Sequence, residues 1–102
     1  MTNITPEEVK QRLDAGEALN LIDVREPYEN AEFNIGGTLL PLGKIQSMQT
    51  ENIDSLQNEE VIFYCRSGNR SGIAAMMLEK MGFTNTKNLT GGMLAWQEKF
   101  KK

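Results

Sequence analysis

An α/β fold with a mainly parallel central sheet of about five strands and helices on both faces is what this sequence predicts, and three observations carry the prediction. Apolar runs alternate along the chain with stretches of helical spacing, the order that builds strand-helix-strand units. Leu19, Leu21, Ile22 and Val24 form a run with little polar alternation, which suits a parallel strand covered on both faces. A second run, Val61-Ile62-Phe63-Tyr64, stops at the only cysteine and turns into the polar stretch Arg66-Ser67-Gly68-Asn69-Arg70-Ser71-Gly72 before helical spacing resumes at Ile73. Strand, tight loop and helix thus follow in order. Right-handed crossovers then bring the strand-end loops to one edge of the sheet, where ligands of such folds bind.

The elements follow in chain order. Ile4 predicts a short edge strand. Thr5-Pro6-Glu7-Glu8 is a helix start, with Thr5 as cap, Pro6 at the first helical position and Glu8 completing a capping box. Val9, Leu13 and Ala15 share a face of that helix and Gly16 ends it. The strand Leu19 to Val24 ends in Asp23-Val24-Arg25-Glu26-Pro27, and Pro27 opens a short helix through Glu32. Thr38 to Leu42 is an edge strand interrupted by Pro41, and Lys44 to Met48 and Ile53 to Leu56 predict short helices capped by Asn52 or Asp54. After the cysteine loop the helix Ser71 to Met81 carries Ile73, Met76, Met77 and Met81 with Ala74 and Ala75 as a core-facing stripe, and Gly82 closes it. Phe83 to Leu89 is the last strand, despite its Asn and Lys content. Thr90-Gly91-Gly92 leads into a helix from Met93 to Phe100, where Trp96 and Phe100 lie one turn apart and Trp96 anchors the core.

Composition sets the bounds. The chain has 102 residues, 39% of them hydrophobic and 25% charged, which fits a single globular domain over residues 1–102 that buries roughly 60% of its unfolded surface. One cysteine and no histidine exclude an internal disulfide and leave no usual transition-metal ligand set, so neither a metal nor another cofactor is expected. A formal net charge of −3 speaks against nucleic acid as a partner. Lys99, Lys101 and Lys102 read as a solvated helix end. The start of the chain lacks a basic, apolar leader and no run reaches the length of a membrane span, so a cytoplasmic location without membrane attachment is expected, one that also suits a free thiol.

Cys65 stands at the mouth of the loop. Its sulfur is a nucleophile only as thiolate, which a helix N-terminus, a nest of backbone N–H groups and nearby cations favour. Arg66 and Arg70 supply the cations. Without a histidine the activation must come from the loop itself. A buried, inert cysteine at a strand end is the plainer reading, but the Arg-x-Gly-x-Arg that would follow it argues for chemistry. Asp23 and Arg25 read as a strand-end ion pair or turn, or, more sharply, as supports of the site in which Asp23 orients Arg70 and Arg25 adds positive potential over the thiolate.

Cys65-Arg66-Ser67-Gly68-Asn69-Arg70-Ser71 resembles the active-site loop of the rhodanese family of sulfurtransferases. Phosphatases with a related loop place one more residue between cysteine and arginine, enlarging the ring to fit a tetrahedral phosphate. The likeness extends to Leu21-Ile22-Asp23-Val24-Arg25-Glu26-Pro27-Tyr28-Glu29 and to Gly91-Gly92 with Trp96, so it covers nearly the whole chain. It departs at Phe33-Asn34-Ile35-Gly36-Gly37-Thr38, where many members carry Gly-His-Ile-x-Gly-Ala. Asn34 keeps a hydrogen bond there but cannot titrate.

The resemblance implies a three-layer rhodanese-like fold and a Cys65 persulfide that carries sulfane sulfur from thiosulfate or another persulfide to an external thiol or a cyanide-type acceptor, small molecule or protein. The chain has no second thiol to resolve the persulfide. Arg66, Ser67, Gly68, Asn69 and Arg70 would form the loop that holds the persulfide and the departing anion. Ser67 and Ser71 would donate to the outer sulfur or cap the helix, with capping the expected role of Ser71. Two other readings stand beside it: a phosphatase or arsenate reductase using the same thiolate with an Asp acid, and a carrier module that docks or delivers sulfur without turnover.

Overall fold

The computed structural model describes residues 1–100, so Lys101 and Lys102 of the basic end lie outside the described residues. Five parallel strands form one sheet in the order β1-β5-β4-β2-β3: β1 (Thr2–Ile4), β2 (Leu21–Asp23), β3 (Thr38–Leu39), β4 (Glu60–Tyr64) and β5 (Asn85–Leu89). The helices are α1 (Pro6–Asp14), α2 (Pro27–Glu32), α3 (Leu42–Gln46), α4 (Asn69–Lys80) and α5 (Gly92–Phe100), with a 3-10 turn at Asp54–Leu56. Among the described residues no helix is long and apolar enough to cross a membrane.

The central strand shows why the cysteine run is continuously apolar. Successive side chains of a strand point to opposite faces. Val61, Phe63 and Cys65 enter one core with Ile22, Val24, Ala74, Ala75 and Leu78, while Ile62 and Tyr64 enter the other with Ile4, Val9, Leu89, Met93 and Trp96. Trp96 meets Phe100 edge to face at 4.9 Å between ring centroids, a geometry favoured by the ring quadrupoles.

Most element boundaries follow the sequence. Thr5 caps α1 by accepting from the Glu8 N–H at 3.2 Å, and Pro6 follows it. Two expectations are corrected on α4. Its buried stripe is Ser71, Ala74, Ala75 and Leu78; Ile73 and Met76 are exposed, and Met77 and Met81 only partly buried. Small residues and Leu78 fill the inner face, while Ile73 and Met76 point outward. The helix also begins two residues early, because Gly68 takes the left-handed conformation (φ 104°) as its N-cap. Ser71 is therefore inside the first turn and not its cap. In the same way α3 starts at Leu42, immediately after Pro41, whereas helical spacing pointed to Lys44.

The register places the site. Asp23 pairs with Tyr64 across β2 and β4, and the Val24 N–H donates to the Tyr64 carbonyl at 3.0 Å. Asp23 to Arg25 and Cys65 to Arg70 thus leave the sheet side by side at its carboxyl edge.

Candidate active site

The loop after β4 is shaped from two sides. At the start of α5 the Met93 N–H donates to the Cys65 carbonyl at 2.9 Å and the Leu94 N–H to the Arg66 carbonyl at 3.0 Å. Peptide planes fixed this way turn the following N–H groups to the other side, toward the sulfur. The approach of backbone to backbone explains Gly92: a Cβ there would collide with the Cys65 carbonyl and lie 2.7 Å from the carbonyl carbon and oxygen of Arg66. From the second side, Asn88 at the end of β5 donates its Nδ2 to the Gly68 carbonyl at 3.1 Å, and Gly72 leaves the space that the amide fills.

Cys65 lies on the floor of the loop and not at its mouth, with 1% of its surface exposed beneath the exposed Arg66, Ser67 and Asn69. Burial by itself pushes the thiol up in pKa. The Ser71 hydroxyl, 3.4 Å from Sγ, and the N–H groups of Ser71, Gly68 (3.1 Å) and Ser67 outweigh it, so the thiol is held below its ordinary value. Hydrogen bonds to the charged form, supplied by a helix start and its preceding loop, favour thiolate here in place of a base.

The charges around the loop are paired in an order the sequence did not foretell. Arg70 does not meet Asp23. Its guanidinium forks onto Glu29 of α2, Nη1 to Oε1 at 2.8 Å and Nη2 to Oε2 at 3.0 Å, and Arg70 holds the Glu29 carboxyl down to about 2. Oε1 of Glu29 also accepts from the Glu26 N–H, so one carboxylate closes the start of α2 and orients Arg70. Asp23, fully buried, accepts from the backbone and guanidinium of Arg25 and from Asn30 Nδ2. Arg25 in turn donates to the Phe33 carbonyl and lies 5.8 Å from the Tyr64 ring centre. Asp23 and Arg25 thus form a buried strand-end pair, and it is Glu29, not Asp23, that orients Arg70. Among the described residues no carboxylate lies within ion-pair distance of Arg66. That cation borders a cleft of about 290 Å³ with Arg25, Tyr28, Glu29, Phe33 and Leu94.

Two residues of this arrangement were not foreseen as site residues. Glu29 sits in the Glu-Pro-Tyr-Glu turn without a mark to distinguish it from a solvated helix acid. The signal for Asn88 was there: asparagine is depleted in strands, and its presence in β5 asked for a polar partner. Asn34, in the position where the family pattern has histidine, donates to the Asn30 carbonyl at 2.9 Å and accepts from the Gly36 N–H at 2.8 Å. It fastens a turn.

The fold is a parallel α/β sheet with a cysteine cradled by backbone N–H groups at its carboxyl edge. The chain belongs to the family of the rhodanese-like domain, whose model matches residues 5–99. It is 36% identical over 97 residues to a sulfurtransferase of Allochromatium vinosum, covering 94% of this chain and 88% of that protein. It is 37% identical over 97 residues to YrkF of Bacillus subtilis, covering 94% of this chain but 51% of YrkF, so it spans about half the length of that relative. The crystal structure of a rhodanese-like domain protein from Staphylococcus aureus superposes with a TM-score of 0.81 at 33% identity, over 94% of this chain and 91% of that one. The family contains sulfurtransferases and sulfur carriers.

Proposed function

We propose that the domain is a sulfurtransferase whose Cys65 thiolate accepts sulfane sulfur from thiosulfate or a persulfide and passes it to an external thiol or a cyanide-type acceptor. The thiolate attacks the outer sulfur of the donor. An Sγ–S bond forms, the donor's S–S bond breaks, and sulfite, in the case of thiosulfate, leaves with the electron pair. The acceptor thiolate then attacks the outer sulfur of the persulfide, and the electron pair of the breaking bond returns to Sγ.

The observation that carries this reading is a lone cysteine ringed by donors from Ser67, Gly68 and Ser71, with Asn69 and Arg70 completing the loop. Its burial supports that donor class. With 1% of the residue exposed, the site favours a donor with a slim terminal atom, as thiosulfate and persulfides have and a tetrahedral phosphate ester has not. The phosphatase reading also needs a free carboxylic acid beside the loop, whereas Asp23 is filled by Arg25 and Asn30. Arg66, which has no carboxylate within ion-pair distance among the described residues, is the cation that meets the departing anion, while Arg70 is committed to Glu29; a charge-assisted contact at Arg66 strengthens as negative charge gathers on the leaving group. A reducing, cytoplasmic setting supplies acceptor thiols and keeps Cys65 free.

Incubation with thiosulfate is expected to add one sulfur atom to the protein by intact mass, an adduct lost on adding a thiol and absent from Cys65→Ser. An adduct formed only from a persulfidated protein donor would make the domain a carrier. The absence of an adduct from any of these donors overturns the proposal.

A further inference from the structure

Ser71 has one hydroxyl proton and two acceptors for it. Its Oγ lies 3.4 Å from Cys65 Sγ and 2.5 Å from Asn88 Oδ1. The orientation of the Asn88 amide is not free: its other end meets the Gly68 carbonyl at 3.1 Å, which can only accept, so Nδ2 must face Gly68 and Oδ1 must face Ser71. An amide oxygen cannot donate. Hence the hydroxyl proton is either with Asn88 or with the sulfur, never with both.

The protonation state of the sulfur decides between them. While Cys65 is a thiol, its S–H donates to a lone pair of Ser71 Oγ and Ser71 donates to Asn88. When the thiol ionises, the strongest nearby acceptor is Sγ, and the hydroxyl turns to it, leaving Asn88 Oδ1 without that donor. When the thiolate takes up a sulfur atom, the electron pair on Sγ becomes the new S–S bond and the charge moves to the outer sulfur. Sγ is then neutral and the hydroxyl returns to Asn88.

We infer that Asn88 is a positioning residue that, through the single proton of Ser71, favours the states in which Sγ carries no charge, the thiol and the persulfide, over the free thiolate between them. Ser71 and Asn88 then act with opposite sign. The hydroxyl of Ser71 stabilises the thiolate, and Asn88 competes for that hydroxyl. Asn88 makes the cradle less comfortable for a bare thiolate and so gives sulfur uptake a driving force that a stronger thiolate trap would lack.

The other charged groups around Sγ do not share this dependence. In the loop, Arg66 is exposed and Arg70 is tied to Glu29 of α2. At the end of β2, Asp23 pairs with Arg25, two residues beyond the strand. Tyr64 of β4 is pushed up to about 12, by burial first and then by the Asp23 charge, and Lys87 of β5 is tied to Glu60 at the far end of β4. From α5 it is the backbone N–H groups of Met93 and Leu94 that reach the loop.

The test is the thiolate absorbance of the protein in the ultraviolet across pH, with Cys65→Ser as the blank that removes the tyrosine contribution; one cysteine makes the signal unambiguous. Asn88→Ala is expected to lower the ionisation midpoint by about 0.7 pH unit, the roughly five-fold change that one hydrogen bond is worth. Ser71→Ala is expected to raise it, Ser71→Thr to restore it, and Asn88→Ala to have no further effect in the Ser71→Ala background. A midpoint unchanged or raised by Asn88→Ala, or lowered equally with and without the Ser71 hydroxyl, overturns the inference. Should Asn88→Ala not fold, Asn88→Asp keeps the shape: its midpoint must rise, and rise less once the Ser71 hydroxyl is gone, whereas an equal rise in both backgrounds is charge repulsion alone and overturns the inference too. These titrations need no sulfur donor, so they stand apart from the sulfurtransferase reading. Only one further arm rests on that reading: at a fixed ratio of thiosulfate to sulfite and a pH above the midpoints of both proteins, where the unmodified cysteine is thiolate, Asn88→Ala should carry roughly five-fold less persulfide relative to unmodified protein by intact mass, and an unchanged ratio would overturn the link to sulfur uptake.

Discussion

The two ends of β4 carry the same kind of ion-pair cluster and use it differently. At the start of the strand Glu60 accepts from Arg12 of α1 at 2.6 and 3.0 Å and from Lys87 of β5 at 2.7 Å, while Arg12 also reaches Glu17. At its end Glu29 holds Arg70 and Asp23 holds Arg25. Both clusters balance their charges, and in both a carboxylate is held down to about 2, chiefly by an arginine. The difference lies in what is left over. Among the described residues the Glu60 cluster has two cations against two carboxylates and nothing reactive beside it. The other end adds an unpaired Arg66 and a thiol whose pKa is lowered. Paired charges brace the fold at either end; chemistry needs the charge without a partner.

The largest effect that would sharpen this contrast is at the backbone contact the Glu60 end lacks. Gly92→Ala puts a methyl group into the Cys65 carbonyl and keeps a left-handed φ of 56° that only glycine adopts without strain. We expect a loss of roughly 2–4 kcal/mol in urea unfolding and, in the protein that remains folded, loss of the thiosulfate adduct. An adduct retained at full yield would mean that the α5 start does not shape the loop.

Next come the two glutamates compared directly. Glu29→Gln is expected to slow sulfur uptake roughly ten-fold, because the fork that fixes Arg70 at the end of the loop is lost, about the worth of one charge-assisted bond. Glu60→Gln is expected to leave uptake unchanged while costing about 1 kcal/mol of stability, since its partners are partly exposed and screened by solvent. Both carboxyls titrate from 4.5 down to about 2 in the folded protein. Each pair therefore contributes its full stabilisation above pH 4.5 and loses it as pH falls toward 2. Acid unfolding should begin at higher pH in wild type than in a protein without these depressed carboxyls, once both variants are normalised to their stability at pH 7. If Glu60→Gln slowed uptake as much as Glu29→Gln, the division between bracing and working ends would fail.

How legible this was depends on range. The continuous apolar run Val61 to Tyr64 betrayed a central strand, because a strand buried on both faces has no polar side. The glycines and the cysteine loop betrayed the strand, turn and helix around the site, since both are written in consecutive residues. Partners distant in sequence were not legible. Arg70 had two acidic candidates at the same sheet edge, Asp23 and Glu29, and only the placement of α2 beside the loop decides between them. The face of α4 misled for a related reason: apolar spacing at Ile73 and Met76 matched a stripe, but the face that meets the sheet is Ser71, Ala74, Ala75 and Leu78, with Ile73 and Met76 turned out. Ser71 lies near the sulfur because it belongs to that buried face.

The smallest effect belongs to Asn34, the residue at which the chain departs from the family pattern. Its amide bridges the Asn30 carbonyl at the end of α2 and the Gly36 N–H of the following turn, both at the surface, where water replaces a lost hydrogen bond at little cost. Asn34→Ala should therefore lower stability by about 0.5 kcal/mol and leave sulfur uptake at its wild-type rate from pH 6 to 8, roughly the span over which a histidine would titrate. Asn34→His should likewise introduce no new pH dependence into uptake, because the position fastens a turn and reaches neither Sγ nor Arg66. A pH dependence that appeared with the histidine would place this loop within the electrostatic reach of the thiolate, and the working end of β4 would then extend across α2 to residues that here serve only to hold it.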